Sequence, residues 1–127
     1  MDLSFNIFFP GKLVFGNGKI SLLAADVLEL NPKKVFIPTI EPLQQTIAPF
    51  ITELKNAGIE ILTDTSIVAE PSFSDFEKLM EKVTPFNPDI VIGIGGGSVL
   101  DIAKLVAAQL ENEQSLRDYV GIGLLKG

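Results

Sequence analysis

Asp89-Ile90-Val91-Ile92-Gly93-Ile94-Gly95-Gly96-Gly97-Ser98-Val99-Leu100-Asp101 is the stretch that decides the fold of this 127-residue chain. Residues 89–94 form an apolar, β-branched run, the composition of a strand buried on both faces of a parallel sheet. Three glycines follow, and a helix is expected from about Val99 to Leu110. A strand that feeds through glycines into a helix has a chemical use. Glycine turns with positive φ and lets a ligand approach the backbone with no Cβ in the way. The first turn of the helix offers unpaired N–H groups and a partial positive charge to an anion. Ser98 is expected to cap that helix or donate to a phosphate. Asp101, three residues on, suits a capping box with it. Neither general phosphate motif matches in full. Gly93 and Gly95 fit G-x-G-x-x-G, but Ser98 holds the third position, and the Gly-Lys-Ser/Thr of a P-loop is absent. The plainer alternative is a tight turn with no ligand. Three consecutive glycines are an entropically costly way to build a mere turn, which favours the phosphate cradle.

Outward from this stretch, strand and helix signals alternate. Lys34 to Thr39 reads as a buried strand, with Pro38 marking its end because proline cannot donate to a ladder. Ile47, Phe50, Ile51 and Leu54 form a helical stripe. Thr46 is the expected N-cap, which places Pro49 in the first turn, and Gly58 is the expected C-terminal cap. Ile59 to Thr63 is a short strand. Ser72 and Asp75 make a capping box before the stripe Phe73, Phe76, Leu79, Met80 and Val83, which Pro85 and Asn87-Pro88 end. Before all of these, residues 2–9 alternate, Pro10-Gly11 signals a turn, and Lys12 to Phe15 is a second strand, so a β-hairpin is expected. A helix through Ile20, Leu23, Ala24, Val27 and Leu28 stops at Asn31-Pro32. The order predicts an α/β fold, a Rossmann-like parallel sheet with helices on both faces, preceded by an N-terminal β-hairpin. Ligands of such sheets bind beyond the carboxyl ends of the strands, where the glycines lie.

Composition bounds the function. Apolar residues make up 46% of the chain and charged residues 20%, a globular balance at the size of one domain. The net charge of −6 argues against a nucleic-acid partner, which wants a basic face. The chain has no cysteine and no histidine, which removes disulfides, thiolate or imidazole metal ligands and the usual general base. Catalysis by this chain alone would rest on carboxylates, lysines or Tyr119, and nothing around Tyr119 suggests more than packing. Met1-Asp2-Leu3-Ser4 lacks the pattern of a signal peptide and no run approaches a membrane span, so a cytoplasmic protein with no membrane partner is expected. Glu41 and Glu70 follow strands at the ligand edge; each reads as a ribose partner or as an ordinary surface carboxylate. Lys104 reads better as the i, i+3 partner of Asp101 than as a phosphate ligand.

Gly95 to Lys104, Gly-Gly-Gly-Ser-x-x-Asp-x-Ala-Lys, resembles the signature of the iron-containing (group III) alcohol dehydrogenases. Phe15-Gly16-x-Gly18 resembles the family's turn after its N-terminal hairpin. The strand 34–39 and the Glu70-Pro71 loop fall in the family's order, so the resemblance runs from about residue 5 to 123. Dehydroquinate synthases and glycerol-1-phosphate dehydrogenases share the triple glycine and the Asp, but Ser98 and Ala103-Lys104 fit the alcohol dehydrogenases better. The resemblance implies that residues 1–127 are a single, truncated dinucleotide-binding domain for NAD or NADP. It implies Gly95, Gly96, Gly97, Ser98, Asp101, Thr39, Glu41 and Glu70 as cofactor-binding residues, and no catalytic residue. It places a divalent metal, iron or zinc, in an absent C-terminal domain, on one Asp and three His. The whole enzyme would pass hydride between the nicotinamide and a small alcohol or aldehyde; this chain alone is expected to be inactive. Two positions depart from the family. Ile40 stands where an Asp selects NAD, with Glu41 one residue off, and Glu70 stands where an Asn is common. The choice between NAD and NADP therefore stays open. A homodimer or higher oligomer is expected, with Leu3 to Phe9 pairing across it. The alternatives are a relative like dehydroquinate synthase, a lyase, or like glycerol-1-phosphate dehydrogenase, and a non-catalytic nucleotide-binding module whose exposed sheet edge favours self-association.

Overall fold

The computed structural model describes residues 5–8, 12–15, 20–66 and 71–112. In chain order these form β1 (Phe5–Phe8), β2 (Lys12–Phe15), α1 (Ile20–Leu30), β3 (Lys34–Pro38), α2 (Gln44–Asn56), β4 (Glu60–Asp64), α3 (Phe73–Phe86), β5 (Ile90–Ile94) and α4 (Gly97–Asn112). Among the described residues the strands make one five-stranded sheet in the order β2-β1-β5-β3-β4. β3 runs parallel to both β4 and β5, which is the α/β arrangement expected from the alternation. β1 runs antiparallel to β5 and to β2, so the sheet as a whole is mixed. The Pro10-Gly11 turn lies outside the described residues.

Side-chain alternation along the strands divides the core in two. Val35 and Ile37 of β3 and Ile90, Ile92 and Ile94 of β5 pack with Leu23 and Val27 of α1 and Ile47, Phe50 and Leu54 of α2. On the other face, Phe36 and Val91 pack with Phe76, Leu79 and Val83 of α3 and Ile102, Ala103 and Val106 of α4. Helices therefore cover both faces, and every residue of β5 is buried. Each fully buried large side chain contributes roughly 1.5–3 kcal/mol.

The helix ends follow local chemistry. Ser72 and Asp75 form the reciprocal capping box expected of them. At the end of α2, the Gly58 N–H donates to Lys55 O at 3.0 Å and the Ile59 N–H to Leu54 O at 3.2 Å. Gly58 has φ +88°, the left-handed conformation that this Schellman pairing requires. Asn31 and Asn87, each before a proline, also take a left-handed φ of 53° and end α1 and α3.

The start of α2 differs from expectation. Glu41–Leu43 forms a 3-10 turn with Pro42 near its start, and α2 begins at Gln44 with Leu43 at the cap. Pro42 presets φ for the turn and Leu43 is buried, so winding begins three residues early. Thr46 therefore lies inside the helix, and Pro49 is interior rather than in the first turn. Pro49 is exposed, so water can replace the bond it denies to the Gln45 carbonyl.

At the amino ends of the parallel strands, the Asp89 carboxylate accepts from the Lys33 N–H at 2.6 Å and the Lys34 N–H at 3.1 Å. The Asp89 N–H donates to Lys34 O at 2.8 Å.

Candidate functional site

From β3 the chain passes through α2 on one face to β4. From β4 it returns through α3 on the other face, past β3, to β5. The order reverses between β3 and β5. In open α/β sheets that switch point, at the carboxyl ends, is where a ligand crevice forms. Thr39 stands on one side of it and Ile94-Gly95 on the other.

The α4 helix starts within the glycine run. The Leu100 N–H donates to Gly96 O at 3.1 Å, so Gly96 is the cap and Gly97 is already helical. The N–H groups of Gly97, Ser98 and Val99 then have no intrahelical partner. Ser98 is corrected from cap to first-turn residue, and it makes no capping box with Asp101. Glycine itself is an acceptable cap, so winding starts before Ser98 is reached. Ser98 and Asp101 are both exposed.

The four glycines of the turn do different things. A Cβ on Gly93 would lie 2.8 Å from Ala103 Cβ, so Gly93 lets α4 lie close against β5. Gly95 has φ +157° and faces Val99 Cγ2 at 3.0 Å from a built Cβ. A Cβ on Gly96 or Gly97 would meet nothing within 4 Å. The turn's own packing thus demands glycine at 93 and 95, while 96 and 97 border open space at the head of α4. That is the shape a phosphate group needs: free N–H donors with no side chain over them.

Thr39 is only 1% exposed. Its hydroxyl donates to Ile94 O at 2.7 Å, and its N–H donates to Asp64 O at 2.9 Å. Thr39 and the glycine turn are therefore joined through Ile94. Ile40 is half-buried and packs against the α1/α2 side of the core. Glu41 opens the 3-10 turn and is exposed. Glu70 lies outside the described residues. Lys104 is exposed, and no ion pair joins it to Asp101; two solvated side chains gain little by pairing.

Asp64, at the carboxyl end of β4, was not singled out by sequence. It is buried, accepts from Lys82 Nζ at 2.5 Å, and accepts from the Ser66 N–H at 2.9 Å and from the Ser66 hydroxyl. Burial pushes its carboxyl up, but the hydrogen bonds from Lys82 and Ser66 and the lysine charge outweigh it and hold the group below its ordinary value. Asp64-Thr65-Ser66 after a strand is an Asx-turn signal that could have flagged it; Lys82, on α3, carries no such signal.

Among the described residues no group of three or more carboxylates could hold a metal ion, and the sequence has no histidine or cysteine. The described residues therefore do not fit a metal centre. Among the described residues no helix is long and apolar enough to cross a membrane.

Fold and site together define the class: an open α/β domain with a glycine turn at its topological switch point. The sequence profile of the iron-containing alcohol dehydrogenases matches residues 10–126, and the chain belongs to that family. It is 34% identical over 116 residues to the sulfoacetaldehyde reductase of Bilophila wadsworthia, covering 90% of this chain and 30% of that protein. It is 31% identical over 119 residues to long-chain-alcohol dehydrogenase 1 of Geobacillus thermodenitrificans, covering 91% of this chain and 30% of that one. Among solved structures, the NADH-dependent butanol dehydrogenase A of Thermotoga maritima superposes with a TM-score of 0.69 at 26% identity, over 89% of this chain and 29% of that one. The chain thus spans about 30% of the length of these relatives.

Proposed function

We propose that this chain is the dinucleotide-binding portion of a metal-dependent alcohol dehydrogenase. The enzyme would transfer hydride between NAD or NADP and a small alcohol or aldehyde. The observation that carries the reading is the bare head of α4. Gly96 and Gly97 have no packing reason to be glycine, yet they stand at the switch point where an anionic ligand belongs. Gly95, Gly96, Gly97 and the first-turn N–H groups would receive the pyrophosphate, with the Ser98 hydroxyl as a further donor. Asp101, one turn on, and Glu41 and Glu70, on the loops after β3 and β4, are offered as further cofactor contacts. The bound nicotinamide supplies hydride chemistry; this chain's part is to bind and orient it. Family membership and the dehydrogenase and reductase names of the relatives support the reaction class.

The fit of the reading rests on binding, so binding is its test. Titration calorimetry of the 127-residue chain with NAD, NADP and ADP is expected to show saturable heat for all three. Silence with all three would leave the glycine turn as packing only and favour a module without nucleotide. A ratio of NAD to NADP affinity would settle what Ile40 and Glu41 do. We also propose self-association. β1 lies between β2 and β5 within one chain, so pairing across a dimer falls to β2 or β4 rather than to Leu3–Phe9.

A further inference from the structure

The Thr39 N–H points to β4, where it bonds Asp64 O at 2.9 Å. Backbone groups alternate sides along a strand, so the N–H that Pro38 lacks would have pointed to β5. Lys34 agrees with this phase, since its carbonyl accepts from Asp89 at the start of β5. The β3–β4 register runs to Pro38↔Asp64. The β3–β5 register stops at Val35↔Ile90 and Phe36↔Val91. The pairing of the two strands thus lies toward their amino ends. Toward their carboxyl ends a side chain adds a cross-strand bond, Thr39 Oγ1 to Ile94 O at 2.7 Å, inside the core.

The carbonyl that Thr39 holds shares a rigid, planar peptide with the Gly95 N–H. Gly95, Gly96 and Gly97 have no side chains to fix their own orientation, and two of them face open space. We infer that Thr39 is the positioning residue of the glycine turn. Its buried hydroxyl, by fixing the Ile94–Gly95 peptide, sets the direction in which the N–H groups at the head of α4 face a dinucleotide's pyrophosphate. The ligand in this statement rests on the reading proposed above; the positioning of the turn does not. Pro38 and Thr39 then act as a pair. The proline offers no ladder N–H at the switch point, and the threonine adds one bond there, aimed at the turn.

The test is the series Thr39→Ser, Thr39→Cys and Thr39→Val in the 127-residue chain, which grades the donor from full to weak to none. Three quantities are read: ADP affinity, hydrogen exchange at the Gly95–Val99 amides against those of β4, and thermal stability. T39S is expected to stay within about twofold of the parent in affinity and turn exchange, the scale of a donor that is kept. T39V is expected to lose about tenfold in ADP affinity and to speed turn exchange by a similar factor, with β4 unchanged. T39C falls between. A T39V protein that melts earlier but keeps parental affinity and turn exchange would overturn the inference, because the hydroxyl would then serve stability alone. T39S as damaged as T39V would also overturn it. Should T39V fail to fold, the T39C–T39S pair decides by the same comparison. Should the parent bind no ADP, the proposed function fails, and turn exchange alone decides the positioning.

Discussion

At Gly93 a methyl group would come within 2.8 Å of Ala103 Cβ, and neither atom can swing away, since both are fixed to backbone. Gly93→Ala should therefore push α4 off β5 and cost about 1–3 kcal/mol, the range for overpacking a tight core. Gly96 stands three residues away in open space. Gly96→Ala exchanges one cap residue for a poorer one and should cost about 0.5–1 kcal/mol, less than Gly93→Ala, while weakening ADP binding severalfold, because the methyl would sit where the proposed phosphate binds. Urea unfolding and calorimetry on the two variants check both halves. A G96A destabilised as much as G93A, or a G96A that binds as the parent does, would remove the distinction. The sequence showed the glycine run but not this division of labour. Which glycine faces a helix and which faces solvent depends on where α4 starts, and that start is set by the turn itself rather than by Ser98.

Elements add two further predictions. The capping box of α3 was readable because both partners lie within four residues, and Ser72→Ala should cost about 1 kcal/mol by thermal or urea unfolding. The Asp64–Lys82 pair was not readable, because it joins β4 to α3 across 18 residues. Thr39–Ile94, across 55 residues, was hidden for the same reason: local periodicity carries no information on which strand lies beside which. The insertion of β1 against β5 is another such non-local choice. Asp64 gives the fold a pH dependence whose sign follows from its depressed carboxyl. The folded state binds the proton less tightly than the unfolded chain does. The stabilisation is thus fully present above the ordinary value of 3.8 and is lost as pH falls below that through the depressed folded value. Unfolding of the parent and of Asp64→Asn should differ clearly near neutrality and converge in acid. A constant difference across that range would mean that the ionised carboxylate is not what stabilises. Lys82→Met should cost about 1–3 kcal/mol, because it leaves a buried carboxylate without its cation. Lys82 is itself 53% exposed, which keeps the loss below that of a fully buried pair.

At the scale of the whole molecule, β5 is the axis. It is buried throughout, joins the parallel and antiparallel parts of the sheet, and ends in the glycine turn at the switch point. The fold class was legible because strand and helix periods alternate cleanly along the chain. The candidate site was legible only as a place, the carboxyl edge, until the strand order located the reversal between β3 and β5. The same edge supplies N–H donors, and among the described residues no group of three or more carboxylates could hold a metal ion. Dinucleotide binding and turnover should therefore separate in this chain. With NAD, a primary alcohol and added iron or zinc, the 127-residue chain should bind NAD but form no reduced nicotinamide, since a hydride donor's alkoxide needs a metal or similar charge-stabilising group, and the described residues form no metal site. Fluorescence of reduced nicotinamide over a long incubation gives the reading. The decisive comparison is G96A in the same assay. If the parent turns over and G96A does not, the chain carries a complete site, and the division of the reaction between this domain and the rest of a longer enzyme is wrong. If neither turns over but the parent alone binds ADP, the proposed reading of the glycine turn as a cofactor-binding site is supported.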